Sequence, residues 1–133
     1  MRLLLDTHVL LWVLSDSKRI PDETRELIES TDNEVLFSAA SIWEIAIKQH
    51  ALRAELGVDA ETIAAAARET DFDELAISSR HAAGVATLAS HHKDPFDRLL
   101  VSQALAEPAK LVTADRALAA YSRDLVLLVE PVR

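Results

Sequence analysis

The 133-residue chain contains no cysteine and only two glycines. The first absence excludes a disulfide framework and any thiolate metal site, and it is compatible with a reducing cytoplasm. The second removes the glycine-rich loop that cradles phosphate groups in many nucleotide-binding proteins. Also missing is any apolar run near the roughly 20 residues of a membrane helix. The hydrophobic start Leu3-Leu4-Leu5 is cut by Asp6, far short of a signal-peptide core, so an unexported, soluble protein is expected. There is no HExxH spacing and no GxSxG elbow. Positive charge is scarce, with 14 Lys and Arg against 22 Asp and Glu and a net charge of −8. That balance argues against a broad electrostatic grip on nucleic acid. It does not exclude an enzyme that acts on nucleic acid, because bound divalent cations reverse the field at a site. An acidic surface is also complementary to a basic partner.

What is present is the balance of a globular domain, with 50% apolar and 27% charged residues. The length suits one domain spanning residues 1–133, with neither repeat nor low-complexity linker. Short apolar runs at Leu3-Leu4-Leu5, Val35-Leu36-Phe37, Leu75-Ala76-Ile77, Leu111-Val112-Thr113 and Val126-Leu127-Leu128-Val129 read as five strands covered on both faces. Helical patterns separate them. A helix starts at Thr7 or His8, and another near Pro21-Asp22-Glu23. Further helices span about Ala39 to His50, Ala60 to Thr70, Arg80 to Ser90, and Pro95 to Ala106. Gly57 ends the segment Gln49–Leu56, and Gly84, inside a helical pattern, marks close packing. The alternation predicts an α/β fold: a mainly parallel sheet of about five strands with helices on both faces.

Four carboxylates stand inside or beside apolar segments, where a charge is costly unless something positive meets it. Asp6 follows the first strand, where ligand sites of parallel sheets gather, and its structural alternative is to cap the next helix. Asp115 holds the equivalent place after the fourth strand. Its alternative is a first-turn acid behind a Thr113 cap. Glu44 lies in a helix expected to be buried on most sides. Its alternatives are a capping box with Ser41 and an i,i+4 pair with Lys48, the latter worth only about 0.2–0.5 kcal/mol. Asp94 before Pro95 reads as a helix cap, which leaves Asp97, at the third helical position, as the better site candidate. Packed together without a cation, these acids would repel one another and their pKa values would rise. Oxygen ligands alone suit Mg²⁺ or Mn²⁺.

His91 and His92 cannot both face one ligand from a helix and read as a surface helix end; His8, His50 and His81 are isolated. Trp12, Trp43 and Phe96 read as core residues. Arg80, Lys93, Arg98 and Arg116 are candidates for a phosphate backbone, or else solvated charges.

Four motifs occur in an order that resembles the PIN-domain ribonucleases, and most closely their VapC-like toxins of bacterial type II toxin–antitoxin systems. They are Leu3-Leu4-Leu5-Asp6-Thr7-His8, Ser38-Ala39-Ala40-Ser41-Ile42-Trp43-Glu44-Ile45, His92-Lys93-Asp94-Pro95-Phe96-Asp97-Arg98-Leu99-Leu100 and Leu111-Val112-Thr113-Ala114-Asp115. The resemblance covers essentially the whole chain. It implies a PIN-like three-layer α/β/α sandwich whose acids at Asp6, Glu44, Asp97 and Asp115 are both metal ligands and catalytic residues. It further implies Mg²⁺-dependent (or Mn²⁺-dependent) cleavage of RNA, inhibition by a cognate antitoxin, and a homodimer. In such a site the metal orients water and offsets charge on the scissile phosphate. Asp94 would assist from beside the site, with Thr7, Ser38 and Thr113 in support by hydrogen bonding. Two other classes stay open: a PIN-fold protein-binding module with little nuclease activity, and another Mg²⁺ hydrolase such as a phosphatase. The lack of a DxD pair after the first strand, which reads Asp6-Thr7-His8, weighs against the phosphatase.

Overall fold

A computed structural model describes residues 1–57, 59–89, 93–121 and 124–132, with the backbone alone at 52, 53, 55 and 56. The leucine run makes strand β1 (Arg2–Leu5), in which Leu3, Leu4 and Leu5 are all fully buried. Because side chains alternate across a strand, Leu3 and Leu5 enter one apolar cluster and Leu4 the other. Burying each such side chain contributes about 1.5–3 kcal/mol, so this strand anchors both faces of the sheet.

The chain continues through α1 (Thr7–Leu14), α2 (Asp22–Glu29), β2 (Glu34–Ser38), α3 (Ala39–Leu56), α4 (Ala60–Glu69) and β3 (Asp73–Leu75). It returns through α5 (Ser79–Gly84), a 3-10 turn (Val85–Thr87), α6 (Pro95–Ala106) and β4 (Lys110–Thr113). A second 3-10 turn (Arg116–Ala120) leads to β5 (Val126–Leu128). All four strand pairings are parallel, in the order β3-β2-β1-β4-β5. One face is covered by Val9 and Leu10 of α1, Ile28 of α2 and Ile63 and Ala67 of α4. The other is covered by Leu99, Leu100, Val101 and Ala104 of α6. Helix α3 contributes Ala40 to one cluster and Ile45 to the other. The result is the expected α/β/α sandwich, with a sheet that is parallel throughout.

Several expectations shift by a few residues, each for a local reason. Strand β3 is Asp73–Leu75, not 75–77, because among the described residues it pairs with β2 alone. That ladder stops where Ser38, paired with Leu75, hands over to α3. The exposed Asp73 and Glu74 suit an edge strand. Helix α3 runs on unbroken to Leu56, and Gly57 ends it with φ of +66°, a conformation glycine adopts without strain. The helix expected over 80–90 is short: α5 ends at Gly84 and tightens into the 3-10 turn. Gly84 does mark close packing, since a Cβ there would stand 2.5 Å from Ser102 Oγ. His91 and His92 lie outside the described residues.

His81 is not isolated. Its buried ring accepts the Ser78 N–H at Nδ1, 3.1 Å, which places the proton on Nε2, 2.7 Å from Glu107 Oε2. Arg2 completes this network from the first residue of β1, through the Glu107 carbonyl and, at 3.7 Å, its carboxylate. No described helix is long and apolar enough to cross a membrane.

Candidate metal centre

In the order β3-β2-β1-β4-β5 the chain winds outward from β1 through β2 to β3, then returns to the other side of β1 with β4. The carboxyl ends of β1 and β4 therefore flank the switch point, where parallel sheets bind ligands. Asp6 and Asp115 follow those two strands, and the Asp6 N–H continues the ladder to the Val112 carbonyl at 3.0 Å.

Asp6 is only 5% exposed. Its Oδ1 caps α1 by accepting the Val9 N–H at 2.8 Å, and its Oδ2 accepts the Thr113 hydroxyl. The helix-cap role and a site role thus use different oxygens of one carboxylate. Burial pushes the Asp6 carboxyl above its ordinary 3.8, against the opposing pull of the Thr113 hydroxyl, the Val9 amide and the His8 charge. The nearby Glu44 pushes it the same way. Asp6 is thus a buried acid bonded by neutral donors, a state a bound cation would relieve.

Glu44 is also buried, at 6% exposure. Its Oε1 accepts the Thr7 hydroxyl at 2.7 Å, and its Oε2 accepts from Lys48 Nζ at 2.7 Å. The i,i+4 pair is therefore real, but the capping box is not. Helix α3 starts at Ala39, two residues before Ser41, and the Ser41 hydroxyl lies 3.0 Å from Thr7 Oγ1 instead. Since Thr7 donates to Glu44, it accepts from Ser41. The supporting role of Thr7 is as expected, while that of Ser41 goes unanticipated. The signal was there, because Ser41 and Glu44 are three apart on one helix face.

Thr113 works in the same way on the other side. Its hydroxyl donates to Asp6 and accepts the Asp115 N–H at 3.1 Å. Asp115 is itself the cap of the following 3-10 turn, accepting the Ala117 N–H at 2.9 Å, rather than a first-turn acid behind a Thr113 cap. Ser38, by contrast, turns from the site to Gln103 at 2.5 Å and to the Ala40 N–H at 2.9 Å. Asp94 caps α6, accepting the Phe96 and Asp97 N–H groups at 2.8 and 3.1 Å, with Pro95 at the first helical position as expected. Asp97 follows in that first turn.

The Thr113 hydroxyl therefore ties Asp6 to the Asp115 backbone, the Thr7 hydroxyl, next along the chain from Asp6, holds Glu44, and Lys48 feels the charges of Glu44, Asp94 and Asp97. Yet among the described residues no three acidic or histidine side chains form a ready-made metal cage. The donor set, carboxylate oxygens steadied by hydroxyls, fits a hard divalent cation in its chemistry.

The surroundings differ from expectation at one point. Trp43 is 55% exposed and packs edge-on against Phe96, ring centres 5.0 Å apart; Ile47, one turn on, is also exposed. Helix α3 is therefore not buried on most sides, although the face carrying Glu44 is. Of the basic candidates, Arg98 is taken up by the Val85 and Ala89 carbonyls and the Tyr121 hydroxyl, and Arg116 pairs with Glu130 at 2.9 Å. Arg80 and Lys93 are exposed. A cleft of about 760 Å³, lined by Ile20, Ile28, Val35 and Phe72 with Asp16 and Arg25, reaches Glu34 and Asp73 at the amino end of the sheet. It lies away from the acids.

The PIN domain family matches residues 3–124. The chain belongs to the PIN domain family. No curated protein matches its sequence. Among solved structures this PIN domain is similar to a chain of VapBC2 from Rickettsia felis, determined bound to a DNA fragment from their promoter. The identity is 16% and the TM-score 0.70, over 97% of this chain and 99% of that one. A chain of a toxin–antitoxin complex from Klebsiella pneumoniae is 19% identical, with a TM-score of 0.63 over 93% and 94% of the two chains. A domain of a functionally unknown protein from Methanocaldococcus jannaschii DSM 2661 is 14% identical, with a TM-score of 0.56 over 99% and 93%. At these identities the likeness is one of fold.

Proposed function

We propose that this PIN domain is a Mg²⁺- or Mn²⁺-dependent ribonuclease, acting as the toxin of a toxin–antitoxin pair in the cytoplasm. One observation carries the reading. Asp6, 5% exposed and bonded by neutral donors, stands at the switch point of the sheet, where the Thr113 hydroxyl joins it to the Asp115 backbone and the adjacent Thr7 hydroxyl holds Glu44. Asp6, Glu44, Asp97 and Asp115 would hold the ion. Bound there, it supplies charge stabilisation at the scissile phosphate and a water of lowered pKa. Thr113 and Thr7 fix the orientation of the carboxylates, as the supporting shell of a metal site does. The toxin role is supported by fold likeness, over nearly the full length of both chains, to members of two toxin–antitoxin assemblies. A cognate antitoxin and a second copy of the chain are the proposed protein partners. The exposed Trp43 and Ile47 are the kind of apolar surface a partner covers.

The test is cleavage of RNA by the purified protein. Cleavage is expected to need Mg²⁺ or Mn²⁺ and to fall to background in Asp97→Asn. Cleavage that persists in EDTA, or runs at an unchanged rate in the variant, overturns the reading. The protein-binding module is favoured by the same apolar surface. Calorimetry that finds antitoxin binding intact and no metal uptake would decide for it.

A further inference from the structure

Lys48 places a positive charge beside Glu44. Its ammonium is 2.7 Å from Glu44 Oε2, on the face of α3 that carries Glu44. The charges of Asp94 and Asp97, at the start of α6, act on the same ammonium. The Lys48 side chain is 49% exposed while that of Glu44 is 8% exposed, so the ammonium approaches the buried carboxylate from the solvent side. The carboxylate oxygen it holds, Oε2, is the one that Thr7 does not occupy. A metal ion arriving from solvent would compete for that oxygen.

We propose that Lys48 is an intramolecular counter-cation, a positioning residue that holds Glu44 in the metal-free protein and yields it to a divalent ion. This rests on the metal-dependent reading above. One of the proposed ligands is thus already engaged by a charge of the right sign. Two cations cannot share that oxygen without repulsion, so metal affinity is set partly by the strength of the Lys48 contact. A plain surface i,i+4 pair would have little effect on a metal.

The test is calorimetric titration of the full chain with Mn²⁺, comparing wild type, Lys48→Met and Lys48→Arg. Lys48→Met is expected to bind Mn²⁺ roughly tenfold more tightly, about 1.4 kcal/mol, because the competing charge is gone. Lys48→Arg keeps the charge and is expected to stay near wild type. Thermal unfolding supplies a second readout. Lys48→Met is expected to melt below wild type in EDTA and at or above it in saturating Mn²⁺. An unchanged Mn²⁺ affinity, with the same melting offset in both conditions, overturns the role of Lys48 alone. No Mn²⁺ uptake by the wild type overturns the metal reading and this inference together.

Discussion

The two ends of the sheet treat a carboxylate in opposite ways. At the amino end, Glu107 receives His81 Nε2 at 2.7 Å and has Arg2 beside it, and the hydrogen bond to His81 holds its carboxyl below the ordinary 4.5. At the carboxyl end, Asp6 is more deeply buried, is hydrogen-bonded by neutral groups, and lies above its ordinary value. The amino end uses its acid to hold the fold together: residue 107 links α6, α5 and β1. The carboxyl end keeps an acid where the fold would be better without its charge. The proposed metal site accounts for that difference, since functional sites often hold charges at a cost in stability.

The contrast can be broken most severely at Asp6. Asp6→Asn keeps the Oδ1 cap on α1 and removes the buried charge. RNA cleavage is expected to fall at least about a hundredfold, since a metal ion's charge stabilisation is worth several kcal/mol. The metal-free variant is expected to melt a few degrees higher. This gain should depend on pH. Because the folded Asp6 carboxyl lies above 3.8, its penalty is complete at pH above the raised value and fades as pH falls through it. The melting difference should therefore narrow on acidification.

A smaller effect is expected at Thr113. Thr113→Val keeps the shape and removes the hydroxyl between Asp6 and the Asp115 amide. A buried acceptor left without its donor costs about 1–3 kcal/mol, and loss of a ligand-orienting partner typically lowers metal affinity or activity about 10–100-fold. Urea unfolding and cleavage rates should register both. A variant as stable and as active as wild type would mean that Thr113 does not position Asp6.

The smallest effect is expected at the other end. Glu107→Gln should lower the melting temperature modestly and leave cleavage unchanged. With its folded carboxyl below 4.5, Glu107 contributes stability that is present above 4.5 and lost as pH falls through the lowered value. The gap between wild type and variant should thus close in acid. A loss of cleavage in Glu107→Gln would dissolve the contrast between the two ends.

Much of the fold was legible because the physics was local. Leu3-Leu4-Leu5 is apolar at every position and is buried on both faces; Asp94-Pro95 carries its own cap and first turn. The acids could be found because each interrupts or ends such a segment. What sequence left open depended on partners distant in the chain. The end of β3 is set by where β2 stops, and the start of α3 at Ala39 decides that Ser41 serves Thr7 rather than the helix end. Trp43 reads as a core residue from its type alone, but it flanks Glu44 on a helix whose buried face is narrow, and it packs on Phe96 instead. The pairing of Lys48 with Glu44 was visible as spacing. The acids of α6 facing the same ammonium were not.

The most direct measurement is thermal unfolding of wild type and Asp6→Asn, each in EDTA and in saturating Mn²⁺. If the carboxyl end of the sheet is built for a cation, the variant melts higher in EDTA, and Mn²⁺ raises the wild type while leaving the variant unmoved. Equal Mn²⁺ shifts in both proteins, or no shift in the wild type, would contradict a metal centre at Asp6.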